Sequence, residues 1–592
     1  SSATHTSAPK HNSIIPPGSL FFPSSIFASV QTTRGFGSTS RTMAEYKLSG
    51  LSALNLKPGE KQEFDVEGVE GAKVLVVNVN GKHSALGAKC THYGAPLVKG
   101  VLTGDGRLTC PWHGACFNTS SGDIEEAPAI DNIPCFELSE KNGAVFVKGD
   151  ADTIKASRRK PTLRRAGQQA VTDKVVIVGG GSGGLAASEA LRELGFTGAV
   201  TIISSEGYTP IDRTKLSKAL IDDHSKIALR DEAWFKQADI DLIYDQVTAV
   251  DFPAKKVTTK DGKTFEYTKL ILATGGSPRN LPLPGFNELK NIFLLRTIPH
   301  VKAINEAVGE GKKKIVIIGS SFIGMEVGNA LAKNNTVTIV GMEKAPLERI
   351  LGEEVGRTFQ NGLEKNGVKF YMNASVEKAT PSASDSSKVG AIELKDGTKL
   401  EADLVIIGAG VRPQTTFLEG NKDVQLLKDT SLKTDTNFAV VGLDGVYAIG
   451  DIATYPYHGP GGSDGDDAPI RIEHWNVAQN SGRSVAAHIT GSSHVPKPFI
   501  PIFWSALGNQ LRYTGNTVGG YDDYIVTGEP ENSKFVAYYT KGETVVAVAT
   551  VNSDPVMSQS AELMRKKLMP SKSEIKRGVD LLSISVPADS KI

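Results

Sequence analysis

The chain has 592 residues, of which 40% are hydrophobic and 22% charged, the balance of a folded protein of several domains rather than a disordered one. With 66 Lys and Arg against 65 Asp and Glu the net charge is +1, which excludes a protein that binds nucleic acid through bulk electrostatics. The four cysteines, Cys90, Cys110, Cys116 and Cys135, are too few for a disulfide scaffold and lie close together, which points to a reducing compartment and one local site.

Residues 1–42 contain no acid, three basic residues (Lys10, Arg34 and Arg41) and sixteen Ser or Thr. That composition suits a mitochondrial presequence. The stretch from Arg34 to Ser40 resembles a presequence cleavage region. A plain disordered tail is the alternative reading, and a start at Met43 would give a cytoplasmic form. No run approaches the roughly 18 apolar residues that cross a bilayer, so no transmembrane segment is expected.

Cys90-Thr91-His92 and Cys110-Pro111-Trp112-His113 form a C-x-H and a C-x-x-H pair, with seventeen residues between His92 and Cys110. Two loops each offering one thiolate and one imidazole suit a [2Fe–2S] cluster with two Cys on one iron and two His on the other. Tetrahedral zinc also takes two Cys and two His, although zinc sites usually pair like with like in sequence. Short strands are expected at 74–79, 85–88, 107–109 and 144–147. The block resembles a Rieske domain over residues 45–150, with Gly94, Leu97, Gly100, Pro111, Gly114 and Phe117 at matching places. Ala95 and Trp112 stand where respiratory-chain Rieske proteins carry a disulfide-forming pair, so the resemblance is to the ferredoxin type. Cys116 and Cys135 are read as small buried hydrophobes.

Residues 151–173 carry Lys155, Arg158, Arg159, Lys160, Arg164 and Arg165 against two acids and read as a basic linker, with docking of an acidic electron-transfer partner as the alternative. Next come an apolar strand, Gly179-x-Gly181-x-x-Gly184 and an Ala-rich helix. Gly179 permits the tight turn, Gly181 the approach of a pyrophosphate, and Gly184 close helix packing. A second strand ends near Glu206, 22 residues past Gly184, where an acid holds an adenosine ribose. The pattern returns at Gly319 and Gly324, about 140 residues on, with Ser321 in place of the middle glycine. Two such units imply two dinucleotides. Ser321 implies a bulkier backbone approach there. Glu343 follows the second unit's next strand and can hold a ribose hydroxyl. No Arg adjoins Glu343, so NADH is favoured over NADPH, with Lys344 as the candidate 2′-phosphate contact.

The segments 208–218, 272–276 and 446–453 resemble those of the two-domain pyridine nucleotide-disulfide reductase superfamily, in which a late Asp bonds the ribitol of FAD. Cys135 is the last cysteine, so the paired redox cysteines of the disulfide reductases are lacking and dithiol chemistry is excluded. What remains is similar to the ferredoxin reductases of oxygenase systems and to apoptosis-inducing factor. The order of Rieske domain and reductase is that of apoptosis-inducing factor-like (type 3) proteins, over about residues 45–590. The resemblance implies a multidomain fold: an all-β Rieske domain, two Rossmann-like α/β dinucleotide-binding domains and a C-terminal α+β domain. It places an FAD-binding domain at 174–290 and 425–495, an NAD(P)H-binding domain at 291–424 and a reductase domain at 496–592.

It further implies FAD contacts from Arg213, Lys218, Thr274, Gly275, Gly450, His474 and Trp475, with Asp451 on the ribitol. Glu326 is expected near the nicotinamide and Trp504 near the isoalloxazine; Lys218, Glu326 and Trp504 are the candidate catalytic residues. Electrons are expected to pass from NAD(P)H through FAD to the cluster and on to an unidentified acceptor, in a chain that binds no nucleic acid and for which a homodimer is left open. A redox-gated apoptosis, signalling or assembly protein is the alternative. A Rieske oxygenase is disfavoured, because no two of the eleven His stand nearer than six residues.

Overall fold

The computed structural model describes residues 43–164, 172–461, 468–492 and 498–588. The presequence-like residues 1–42 lie outside them. The N-terminal part is β-structure in two sheets. In the larger, six antiparallel strands run in the order Ala44–Lys47, Ala144–Gly149, Cys135–Lys141, Lys82–Gly87, Lys73–Val79 and Lys61–Asp65. Strand Lys73–Val79 is apolar without alternation because both faces are covered: Val74 and Val76 enter one core, Leu75 and Val77 the other. The smaller sheet joins Val101–Leu102, Arg107–Thr109, Cys116–Asn118 and Ile124–Glu126.

The basic stretch after this part is partly built into it. Ala151–Ala156 is a helix capped by Asp150, whose side chain accepts from the Thr153 N–H. Arg158 then pairs with Asp131 at 2.6 Å and donates to the Thr91 carbonyl, and Arg159 pairs with Asp123. Cys116 is buried, as its composition suggests, but Cys135 is exposed at the start of its strand. It sits there because its strand neighbour Phe136 takes the inward face.

Two parallel sheets follow. The first has the order Asp241–Tyr244, Ala199–Ser204, Lys174–Val178, Lys269–Leu272, Val446–Ala448; its last strand arrives only after the second unit has been completed. The second has the order Ile292–Leu294, Leu404–Ile407, Lys314–Ile318, Thr336–Val340, Lys369–Tyr371. Each sheet's central strand feeds a helix, Ser182–Glu193 or Phe322–Leu331, through the glycine turn. A five-stranded antiparallel sheet, Ile502–Ala506 to Asp523–Glu529, and helix Val556–Arg565 complete the fold. Among the described residues no helix is long and apolar enough to cross a membrane.

From Met43 onward the described residues pack as one unit. The β-part is fastened to the rest by buried charge. Arg107 reaches Glu126 at 2.8 Å within its own sheet and Glu562 of the C-terminal helix at 3.1 Å. Thr109 donates to the same Glu562 oxygen, and the Ser558 hydroxyl to the Cys110 carbonyl at 2.7 Å. On the other flank Arg230 joins Asp131 at 2.7 Å to Glu189 at 2.5 Å. Burial pushes the Glu562 carboxyl up, but Arg107 and Arg565 outweigh it and hold it below the ordinary range. Its stabilisation is therefore full above about pH 4.3 and is lost as pH falls through the depressed folded value. Glu562→Gln is expected to lower the thermal midpoint at pH 7, at a cost of roughly 3 kcal/mol for a broken buried pair. The gap to wild type should narrow below about pH 4; equal midpoints at pH 7 would show that the charge does not fasten the interface.

Candidate functional site

Strand Lys82–Gly87 delivers one loop and the turn before Cys116–Asn118 the other. The two loops close alike. The Cys90 N–H donates to the Ala95 carbonyl and the Cys110 N–H to the Ala115 carbonyl, both at 2.8 Å. Gly94 and Gly114 occupy the left-handed region at φ 80° and 74°. The loops bring all four predicted ligands together. His92 Nδ1 lies 3.1 Å from His113 Nδ1, and the Cys90 and Cys110 thiols hydrogen-bond each other. Backbone N–H groups of His92 and Tyr93 point at the Cys90 sulfur, and those of His113 and Trp112 at the Cys110 sulfur.

Sulfurs and nitrogens thus form two separate pairs. Paired donors are what a two-iron cluster takes. Burial lowers the His92 pKa to about 4 and that of His113 well below its ordinary value, so both rings are neutral, as ligands must be.

A cavity of about 500 Å³ opens at the C-terminal edge of the first parallel sheet. Gly179 and Gly181 form one wall, Arg213 and Lys218 another, and Thr274, Gly275, Gly450 and Asp451 a third. His474 and Trp475 lie at the start of a helix beside it, and Phe503 and Trp504 close the far end. Glu206 takes a two-pronged ion pair from Arg213, at 2.9 and 2.6 Å, and a bond from the Tyr208 hydroxyl. Asp451 pairs with Arg296 at 3.0 Å. Glu326 is buried beneath three donors: Lys218 at 2.9 Å, Ser505 at 2.5 Å and Ser217. The Nδ1 atoms of His474 and His300 are shielded from solvent without a partner, and both side chains line the cavity. An unpaired buried nitrogen costs about 1–3 kcal/mol, so a ligand with polar groups fits where bare apolar space would not.

The second glycine turn copies the first and borders the same cavity through Phe322, Ile323 and Glu326. A Cβ on Gly184 would meet the Gly179 carbonyl oxygen at 2.1 Å, and one on Gly324 would meet that of Gly319 at 2.1 Å. Ser321, where the middle glycine was expected, donates its hydroxyl to the Gly408 carbonyl at 2.9 Å, so its added bulk is tied to the neighbouring loop. Glu343 accepts from the Ser320 hydroxyl and pairs with Arg349 at 3.2 Å. An arginine does therefore stand beside it, at the start of the helix Glu348–Lys365, which corrects the expectation that none adjoins Glu343 and removes that ground for NADH over NADPH.

Trp504 joins the two sites. Its ring is 4.6 Å from that of His113 and 5.6 Å from that of His92, while the same side chain lines the cavity. Ile502, two residues earlier on the strand, covers Gly114 so closely that a Cβ there would lie 2.3 Å from its Cδ1. Sequence reading missed Arg296, Ser217, Ser505, Arg230 and Glu562. Ser217 lies in the 208–218 segment and Ser505 beside Trp504, so both were within reach; the others sit in unremarkable surroundings.

Three family profiles match the chain: pyridine nucleotide-disulphide oxidoreductase at residues 173–482, Rieske [2Fe-2S] domain at 50–137 and reductase C-terminal at 502–583. Apoptosis-inducing factor 3 of Homo sapiens is 37% identical over 522 residues, covering 86% of this chain and 82% of that one. Rhodocoxin reductase of Rhodococcus erythropolis is 31% identical over 64% of this chain and 86% of its own. The covalent putidaredoxin reductase–putidaredoxin complex aligns with a TM-score of 0.63 at 29% identity, covering 68% of this chain and 96% of that chain.

The glycine geometry separates packing from access. In the flavin-free protein, Gly184→Ala is expected to lower the thermal midpoint, as overpacking by about 1–3 kcal/mol would. Gly181→Ala, which meets nothing within 4 Å, should leave it near wild type; equal losses in the two variants would contradict this assignment.

Proposed function

The chain belongs to the pyridine nucleotide-disulphide oxidoreductase family, in a branch that carries a Rieske [2Fe-2S] domain, and from that premise we propose that its two parts form one fixed relay joined by Trp504. When bound, FAD takes a hydride from NAD(P)H and releases electrons singly, which is how a [2Fe–2S] cluster accepts them. Cys90, Cys110, His92 and His113 hold the cluster. The glycine turn at Gly179 and Gly181 receives the FAD pyrophosphate at a helix N-terminus. Glu206, kept ionised by Arg213 against the raising effect of burial, takes the adenosine ribose. Thr274, Gly275, Gly450, Asp451, His474 and Trp475 supply the remaining FAD wall.

Lys218, steered by Glu326, places a positive charge at the ring end of the cavity and favours a negatively charged reduced ring. Gly319 and Gly324 shape the NAD(P)H turn. Glu343 favours the free ribose hydroxyls of NADH over a 2′-phosphate, and Arg349 holds its carboxylate in place. Trp504 excludes water between cavity and cluster and supplies the ring through which the two communicate. That placement of Trp504 carries the proposal. The acceptor is a protein, a reading supported by the aligned reductase's being joined to a protein partner, putidaredoxin. Mitochondrial residence, read from residues 1–42, belongs to this proposal, and a monomer or a homodimer serves it equally.

Stopped-flow mixing with NADH tests the relay at two wavelengths. Lys218→Met should slow flavin bleaching about tenfold, the loss of roughly 1.4 kcal/mol of transition-state stabilisation. Trp504→Leu should slow cluster reduction far more than flavin bleaching. Cluster reduction in Trp504→Leu at the wild-type rate would overturn the bridging role.

A further inference from the structure

We propose that electrons leave the cluster through Tyr93, and that the basic surface around this ring is the docking face for a one-electron-accepting protein with an acidic face. The inference rests on the relay proposed above and supplies its exit. The two cluster loops are unequal. The loop with His113 is sealed: His113 and Gly114 are buried, with Trp504 against the one and Ile502 against the other. The loop with His92 reaches solvent at its tip, where Tyr93 is 40% exposed and Gly94 is exposed beside it.

Tyr93 lies flat on His92, with ring centroids 3.8 Å apart and planes inclined by 16°. Its hydroxyl donates to Asp212, which fixes the ring in that position. Tunnelling falls off steeply with the gap it crosses, so an acceptor resting against the exposed edge of Tyr93 has a short path to the cluster. The entry ring, Trp504, and the exit ring, Tyr93, contact the same histidine pair. Electrons therefore pass through without the domain undocking, which the buried pairs of Arg107 and Arg230 oppose.

Charge selects the partner. Lys215 and Arg158 flank the His92 loop, each with one paired acid. Asp212 is only 8% exposed and lies 3.7 Å from Lys215. Both cations face water while the acids that pair with them are buried: Arg158, 44% exposed, is held at 2.6 Å by Asp131, 4% exposed, and Lys215, 36% exposed, stands 5.3 Å from the Tyr93 ring. The face an incoming protein meets is positive, and an acidic partner is steered to it. Each NADH then reduces two acceptor molecules: NADH and two oxidised acceptors give NAD⁺, two reduced acceptors and one proton.

Soluble cytochrome b5, an acidic haem protein, serves as the probe, and basic cytochrome c as its control. Binding is measured on the oxidised holoprotein without NADH, so the docking face and the relay fail separately. Carbodiimide coupling should join carboxylates of cytochrome b5 to Lys215, binding should weaken with added salt, and Lys215→Glu should weaken it about tenfold while the cluster spectrum and flavin bleaching stay unchanged. Lys215→Gln should fall between. With NADH added, Tyr93→Leu should slow cytochrome b5 reduction far more than Tyr93→Phe, which keeps the ring but loses the bond to Asp212. Cross-links confined to other lysines, tighter binding of cytochrome c, or equal rates in Tyr93→Leu and wild type would overturn the proposal. A cluster that NADH does not reduce would instead overturn the relay alone.

Discussion

Everything in this molecule depends on one contact, the ring of Trp504 lying between a flavin-sized cavity and a pair of histidine rings. That contact is made from two directions. The strand Ile502–Ala506 presents Trp504 to the cavity, and the loop at 110–115 lays His113 against its other side. A gap between two domains is hard to hold by shape alone. Here charged pairs placed on both flanks fix it, Arg107 with Glu562 on one and Arg230 with Asp131 on the other, each nearly free of solvent. Such pairs add little net stability against an apolar substitute, but they penalise every wrong register, because a shifted domain leaves a charge buried and unpaired. For a device whose rate depends on a fixed distance, that trade is favourable.

The two dinucleotide units show how one local geometry is used for different ends. In both, the last glycine of the turn touches the carbonyl of the first, and in both the central strand runs straight into the helix. The differences lie in what surrounds the turn. The first unit receives walls from segments distant in sequence, from Arg213 to His474, and becomes an enclosed cavity. The second keeps an acid, Glu343, within reach of its turn and an arginine bound to it.

Much of the architecture could be read from the chain because it is encoded over short distances. C-x-H and C-x-x-H put two donors in each loop, and a strand followed by Gly-x-Gly-x-x-Gly forces the turn wherever it occurs. The meeting of the four candidate ligands was legible for that reason. What escaped notice was long-range. Arg296 meets Asp451 across 155 positions and Arg107 meets Glu562 across 455, and neither pair leaves a periodic or spacing signal. Arg349 lies six residues from Glu343, yet only the turn at 344–347, which leads into the helix Glu348–Lys365, brings the two together. Cys135 illustrates the opposite error: residue type favours burial, but strand alternation turned it outward.

The most direct test of the account is an anaerobic titration of the holoprotein with NADH, with visible absorption recorded throughout and samples frozen for electron paramagnetic resonance. The fixed relay predicts that a Rieske signal grows as the flavin band bleaches. A flavin that bleaches completely while the cluster stays silent would contradict it.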